Sequence, residues 1–151
     1  MALVEDLIAK FLRPPHILLV EDDTDIGNIF INGLHQKYDA EVDWATDGDR
    51  AVDLLAKRAY DIVFLDLVLP RRSGVEVLKF IKASKPYLPV IVVSGAVGSK
   101  LWSEATSLGV VGVISKPFTM VNFEDVFRTY GIRALAKHEV QNYTTAQPLP
   151  A

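Results

Sequence analysis

Acidic side chains stand directly behind two apolar segments of strand length. Asp66 follows the run Ile62-Val63-Phe64-Leu65, and the acids Glu21, Asp22 and Asp23 follow the run His16-Ile17-Leu18-Leu19-Val20. A carboxylate buried without partners is strongly disfavoured, so Asp66 is expected to meet water, a cation or a reactant where its strand ends. The remaining chain should supply those partners.

A hydroxyl and a lysine follow two further apolar runs. Ser94 comes after Val90-Ile91-Val92-Val93, and Lys116 comes soon after the segment from Val110 to Ile114. Clustered carboxylates repel one another and suit a hard divalent cation such as Mg²⁺. A carboxylate can form an acyl phosphate, while a lysine and a hydroxyl hold the phosphoryl oxygens. These residue types indicate phosphoryl transfer; the simpler alternative is that the acids cap helices and face water.

Positioning these residues together requires a particular arrangement of strands. Near-continuous apolar strands that alternate with helices predict an α/β fold, a doubly wound parallel sheet of five strands with helices on both faces. In such sheets the site lies outside the carboxyl ends of the strands, where all these polar residues fall.

Apolar spacing predicts which helix faces are buried. After a cap at Asp23 or Thr24, the first helix of the sheet region is expected to bury one stripe: Ile26, Ile29, Phe30, Gly33 and Leu34. The last helix, near residues 122–136, is expected to bury another: Phe123, Val126, Phe127 and Tyr130.

Composition limits the classes of protein to consider. The 151 residues suit one domain, and the absence of cysteine excludes disulfides, thiolate metal sites and cysteine nucleophiles. The net charge of -3 gives no excess of basic residues that would favour nucleic-acid binding. No apolar run approaches the roughly 20 residues that a membrane span needs. We expect a cytoplasmic protein that binds neither nucleic acid nor a membrane.

The chain divides into three parts by composition. Residues 1–14 predict a short amphipathic helix that ends at Pro14-Pro15, residues 15–136 form the domain, and residues 137–151 form a polar tail predicted to be disordered. The first helix either packs on its own domain or serves in a homodimer or in partner docking.

Four motifs make the chain similar to a known family. They are Ile-Leu-Leu-Val-Glu-Asp-Asp at 17–23, Asp66 with Pro70 and Gly74 behind it, Val-Val-Ser-Gly at 92–95, and Lys-Pro-Phe at 116–118. From about His16 to Tyr130 the chain resembles the CheY-like receiver domain of two-component response regulators. The resemblance implies a flavodoxin-like strand order, 2-1-3-4-5.

The resemblance also implies a role for each matching residue. Asp66 would accept a phosphoryl group from a histidine kinase or a histidine phosphotransfer protein, with Ser94 and Lys116 contacting that group. Mg²⁺ would be bound by Glu21, Asp22, Asp66 and the backbone carbonyl of Val68, and the Lys116-Pro117 peptide bond would be cis. The phosphorylated state would alter binding of a downstream protein target, and the chain would be no enzyme beyond its own phosphorylation and dephosphorylation.

Four positions depart from the family, tune its chemistry or leave a choice open. Val113 stands where the family usually has Tyr or Phe, so the usual aromatic switch is missing. Val68 and Ala96 occupy variable positions that tune hydrolysis in this family, and neither side chain can orient a water, which predicts a long-lived phospho-Asp66. Asp23 would replace Glu21 in the site if the first strand ended one residue later.

Other classes of protein with a similar sheet fit this sequence less well than a receiver domain does. A haloacid dehalogenase-type phosphatase would need an acid at position 68, and a flavodoxin-like cofactor binder would not place three acids in its phosphate loop. A phosphorylation-independent interaction module is the harder rival because of Val113. The length leaves no room for an effector domain, which predicts either a stand-alone receiver or a fragment. The pair Arg71-Arg72 is expected to be solvated, or else to steer an acidic partner.

Overall fold

The computed structural model describes residues 14–131. Its strands are β1 His16–Val20, β2 Glu41–Ala45, β3 Ile62–Leu65, β4 Val90–Ser94 and β5 Gly112–Ser115. Its α-helices are α1 Thr24–Tyr38, α2 Gly48–Lys57, α3 Gly74–Ser84, α4 Lys100–Leu108 and α5 Met120–Val126, the last continued by a π-helical turn, Phe127–Gly131. The predicted amphipathic helix over 1–14 and tail over 137–151 lie outside the described residues, apart from Pro14.

The five strands form one parallel sheet in the order β2-β1-β3-β4-β5. This confirms the predicted fold class and strand order. Because each strand returns through a helix, every strand points the same way, and all carboxyl ends share one edge of the sheet. Along the described chain, none of the helices has the length and apolar character that crossing a membrane requires.

Two hydrophobic clusters cover the two faces of the sheet. Leu18 and Val20 of β1 point to the cluster beneath α2, α3 and α4, whereas Ile17 and Leu19 point to the cluster beneath α1 and α5. This alternation follows from the two-residue period of a strand. The second cluster is rich in aromatic residues and includes Phe30, Phe64, Phe118, Phe123 and Phe127.

A polar side chain caps the start of each α-helix. Asp23, Asp47, Ser73, Ser99 and Thr119 accept backbone N–H groups from the first turns of α1 to α5, respectively. Such caps satisfy donors that have no partner inside the helix and contribute about 1 kcal/mol each. They set where the chain turns from the sheet edge into each helix.

Two side chains predicted to be buried are exposed. Ile29 is 49% exposed, because α1 turns Gly27 toward the sheet, and a residue two positions later lies about 200° around the helix. Tyr130 is 51% exposed, since the π-helical turn that starts at Phe127 changes the helical periodicity on which the prediction depended.

Candidate functional site

Asp66 lies at the carboxyl end of β3, the central strand of the sheet, and is only 5% exposed. Its backbone N–H donates to the carbonyl of Val20 at 2.9 Å, which ties it to the end of β1. Its Oδ1 accepts from the N–H of Val68 at 3.2 Å. Gly74 approaches so closely that an added Cβ would lie 2.5 Å from the Cα of Leu67. The carboxylate is therefore held in one place by backbone packing.

Lys116 joins two of the carboxylates across the site. Its Nζ donates to Asp66 Oδ2 and to Glu21 Oε1, both at 2.8 Å. Its backbone N–H donates to the carbonyl of Ser94 at 2.9 Å, and the Lys116-Pro117 bond is cis, as predicted. Burial alone would lower the pKa of Lys116, but the hydrogen bonds and charges of Asp66 and Glu21 together raise it. The lysine is therefore cationic at neutral pH.

Three acids meet at this edge and could hold a metal ion. Glu21, Asp22 and Asp66 each offer a carboxylate oxygen, and these oxygens lie within 4.8 Å of one another. Glu21 is buried, and burial is the main reason its pKa is raised, with the charge of Asp66 adding to the effect. Asp22 is exposed and opens the cluster to solvent.

The cluster fits a hard cation by its ligand atoms and its charge. Glu21 Oε2 is buried and lies 2.7 Å from Lys116 Nζ. Three carboxylates lie together, and Lys116 pairs with two of them, Glu21 and Asp66, so among the described residues of the cluster negative charge exceeds positive charge. Oxygen ligands with excess negative charge are the set that Mg²⁺ and Ca²⁺ prefer.

The structure also places the other predicted residues. Ser94 is fully buried at the end of β4, and its Oγ accepts from the N–H of Ala96 at 3.0 Å, a bond that uses the oxygen and not the hydroxyl proton. Asp23 caps α1 and does not join the three-acid cluster, so the geometry favours Glu21 over Asp23. Val113 lies half-buried in β5, paired with Val92.

Contacts that the sequence does not predict hold the loop after Asp66. Arg72 Nε donates to Asp49 Oδ1 at 3.1 Å, and Arg71 Nε lies 3.9 Å from Asp47 Oδ2. Both arginines were expected to be solvated or to steer a partner. Arg72 instead connects the loop to the start of α2, whereas the side chain of Arg71 is 70% exposed. Sequence alone offered no signal for pairs that are 23 residues apart or more.

The site and fold agree with the comparisons. Residues 17–128 match the response regulator receiver domain, and the chain belongs to that family. It is thus a receiver domain of two-component signalling, the class that the motifs predicted.

Individual relatives are similar over most of this chain. The transcriptional regulatory protein QseB of Haemophilus influenzae is 36% identical over 104 residues, which are 69% of this chain and 47% of QseB. The cell cycle response regulator CtrA of Brucella ovis is 32% identical over 134 residues, which are 88% of this chain and 56% of CtrA. The chain thus spans about half the length of these two relatives.

A solved structure shows the same fold. The receiver domain protein (CheY-like) from Methanospirillum hungatei superposes with a TM-score of 0.75 at 22% identity, covering 85% of this chain and 99% of that one. At this level of identity the likeness concerns the fold alone.

Proposed function

We propose that this chain is a phospho-accepting receiver, in which Asp66 takes a phosphoryl group from a phosphohistidine of a kinase or phosphotransfer protein. The observation that carries the proposal is the contact of Lys116 Nζ with Asp66 Oδ2 at 2.8 Å, inside a three-acid cluster. A nucleophilic carboxylate beside a fixed cation suits phosphoryl transfer, which depends mainly on positioning and charge stabilisation.

The transfer exchanges one bond to phosphorus for another. A carboxylate oxygen of Asp66 forms the new P–O bond while the P–N bond to the donor histidine breaks, and the electron pair stays on the imidazole nitrogen. Lys116 then pairs with a phosphoryl oxygen, and the hydroxyl of Ser94 donates to another. Both residues stand at neighbouring strand ends, so the negative charge gained at Asp66 can draw them together.

Mg²⁺ would be held by Glu21, Asp22, Asp66 and the backbone carbonyl of Val68. When bound, it supplies positive charge that neutralises the phosphoryl oxygens. Asp22 is the exposed member of the cluster and would hold the ion from the solvent side.

Acetyl phosphate tests the proposal directly. With Mg²⁺ present, we expect intact-protein mass spectrometry to show one added phosphoryl group on the wild type and none on Asp66→Asn. Asp53→Asn, which changes a partly exposed aspartate on α2, is the matched control and should label normally. Labelling of Asp66→Asn would contradict the assignment of the acceptor.

A second candidate function follows from Val113. Without an aromatic residue on β5, the chain would serve as a phosphorylation-independent interaction module. Absence of any labelling of the wild type, by acetyl phosphate or by a cognate kinase, would favour this module.

The partners and boundaries are part of the same proposal. We propose a receiver domain over 15–136 in a cytoplasmic protein, with the first 14 residues as a homodimer or docking element, and a downstream protein as the target. Pull-down of the cognate kinase with and without residues 1–13 separates docking from simple packing. The absence of nucleic-acid binding stays a prediction.

A further inference from the structure

Both backbone polar groups of Glu21 are bonded to β2, one strand away. Its N–H donates to the carbonyl of Ala45 at 3.0 Å, and its carbonyl accepts from the indole Nε1–H of Trp44 at 2.8 Å. The first bond continues the strand pairing by one residue. The second comes from a side chain, at the point where β1 has ended.

The Glu21 carbonyl belongs to the peptide group that joins Glu21 to Asp22. Since a peptide group is planar, a hydrogen bond to its oxygen restrains the orientation of the whole plane between Glu21 and Asp22. These two residues supply two of the three clustered carboxylates. The indole hydrogen bond therefore acts on the relative placement of two proposed metal ligands.

Gly27 of α1 makes room for the indole ring. A Cβ on Gly27 would lie 2.6 Å from Trp44 Cε2 and 2.7 Å from Trp44 Cη2, distances that no real side chain tolerates. The ring is thus held between the sheet edge and the helix that Asp23 caps. It therefore contacts both the Glu21 carbonyl and Gly27 of α1.

We propose that Trp44 is a positioning residue for the metal-binding pair Glu21 and Asp22, acting through its hydrogen bond to the Glu21 carbonyl. Gly27 has no side chain and so leaves the space that the indole ring occupies. This inference rests on the proposed function, because it assumes that the three-acid cluster binds Mg²⁺. Neighbours that orient metal ligands commonly change metal affinity roughly 10- to 100-fold when they are replaced.

Calorimetric titration with Mg²⁺ alone tests the role. Trp44→Phe keeps an aromatic ring but removes the N–H, so we expect Mg²⁺ to bind roughly 10-fold more weakly than to the wild type. The sequence has two tryptophans, and Trp102→Phe on α4 is the matched control that should bind Mg²⁺ like the wild type. Equal affinity of Trp44→Phe and Trp102→Phe would overturn the inference while leaving the proposed function intact. If the wild type binds no Mg²⁺, the proposed function and this inference both fail.

Labelling kinetics separate positioning from a merely structural role. For Trp44→Phe we expect acetyl phosphate labelling to need more Mg²⁺ for half its maximal rate, with the rate at saturating Mg²⁺ unchanged. A variant that stays slow at saturating Mg²⁺ would overturn the positioning role.

Gly27→Ala tests the same contact from the helix side. The added methyl group displaces the indole, so Mg²⁺ affinity should fall. A phenyl ring lacks the outer indole atoms that the methyl group would meet, so in the Trp44→Phe background the same change should have little further effect. Additive losses in the double variant would contradict coupling through the indole.

Spectroscopy reports on the same contact. In the Trp102→Phe background Trp44 is the only tryptophan, and its emission should shift as Mg²⁺ is added. If the emission stays constant in a titration in which calorimetry detects Mg²⁺ binding, the inferred coupling between the indole and the metal-binding pair Glu21 and Asp22 is wrong.

Discussion

The side chain of Val68 is 58% exposed next to Asp66 in the loop and carries no atom that could orient a water molecule. Hydrolysis of a phospho-aspartate needs a water placed in line with the phosphorus. We expect phospho-Asp66 to persist for minutes or longer in Mg²⁺. Val68→Asn, which introduces polar atoms at this position, should shorten the lifetime, as followed by loss of the labelled mass.

A matched control is available on another surface. Val121 is 65% exposed on α5, and Val121→Asn should leave the lifetime unchanged. A lifetime of only seconds in the wild type would contradict the prediction.

Asp43 on β2 carries a pH-dependent part of the stability. Burial alone would raise its pKa, but the hydrogen bond from Tyr60 at 2.7 Å and the charges of His16 and Arg58 lower it overall. A carboxylate whose folded pKa is below its unfolded value stabilises the protein above the unfolded value, here 3.8, and loses this effect as pH falls through the folded pKa.

Asp43→Asn should therefore lower the free energy of unfolding by about 1 to 2 kcal/mol at pH 7, with a smaller difference at pH 3. Urea unfolding at both pH values measures this. Asp125→Asn, at an exposed position of α5, is the control and should have little effect at either pH. A loss for Asp43→Asn that is as large at pH 3 as at pH 7 would show that packing, and not charge, is responsible.

At the scale of elements, the loop after β3 is clamped to the start of α2. The N–H of Gly48 lies 3.4 Å from the carbonyl of Pro70, and Arg72 bonds to Asp49. An added Cβ on Gly48 would collide with the backbone of Arg72. We expect Gly48→Ala to cost about 1 to 3 kcal/mol in urea unfolding, because backbone must move, and to slow the labelling of Asp66.

Gly33→Ala on α1 is the matched comparison. Its new methyl group would meet only the flexible end of Met120, 2.7 Å away. Alanine is favoured over glycine in a helix interior by roughly 0.5 to 1 kcal/mol, so the change should be neutral or stabilising. Equal free energies of unfolding for Gly48→Ala and Gly33→Ala would show that the contact between Gly48 and the loop does not contribute to stability.

At the scale of the whole molecule, a bound metal should stabilise the fold. The three carboxylates come from two segments that only the folded sheet brings together, so Mg²⁺ should bind the native state alone. At ten times the dissociation constant, such binding adds about 1.4 kcal/mol to the free energy of unfolding. We expect Mg²⁺ to raise the midpoint of thermal unfolding in the wild type.

Asp22→Asn should lose most of this rise, whereas Asp25→Asn, at a nearby exposed position on α1, should retain it. Calorimetric or fluorescence melting curves of both variants, recorded with and without Mg²⁺, measure the rise in the midpoint. An equal rise in both variants would mean that the ion binds elsewhere.

Much of the fold was predictable because its signals are local. β1 was predicted with its observed bounds, since an apolar run bordered by acids on one side and by prolines on the other leaves little choice. In α1, Phe30 and Leu34 are buried, as the helical period predicted. The prediction for Ile29 was wrong because the side of α1 that faces the sheet depends on the packing of Gly27 against Trp44. Trp44 lies on another element, so the local pattern of α1 does not reveal this contact.

By itself, the sequence determined which side chains stand at the ends of the strands, because apolar runs and turn residues define strands locally. Parallel strands then bring Glu21, Asp66, Ser94 and Lys116 to one edge. Only the tertiary structure decided how they are held: the bridge from Lys116 to two carboxylates, the clamp of the 67–73 loop on α2, and the bond from Trp44 to Glu21. These contacts join residues 23 to 95 positions apart. Their geometry depends on the packing of helices against the sheet, which no local pattern encodes.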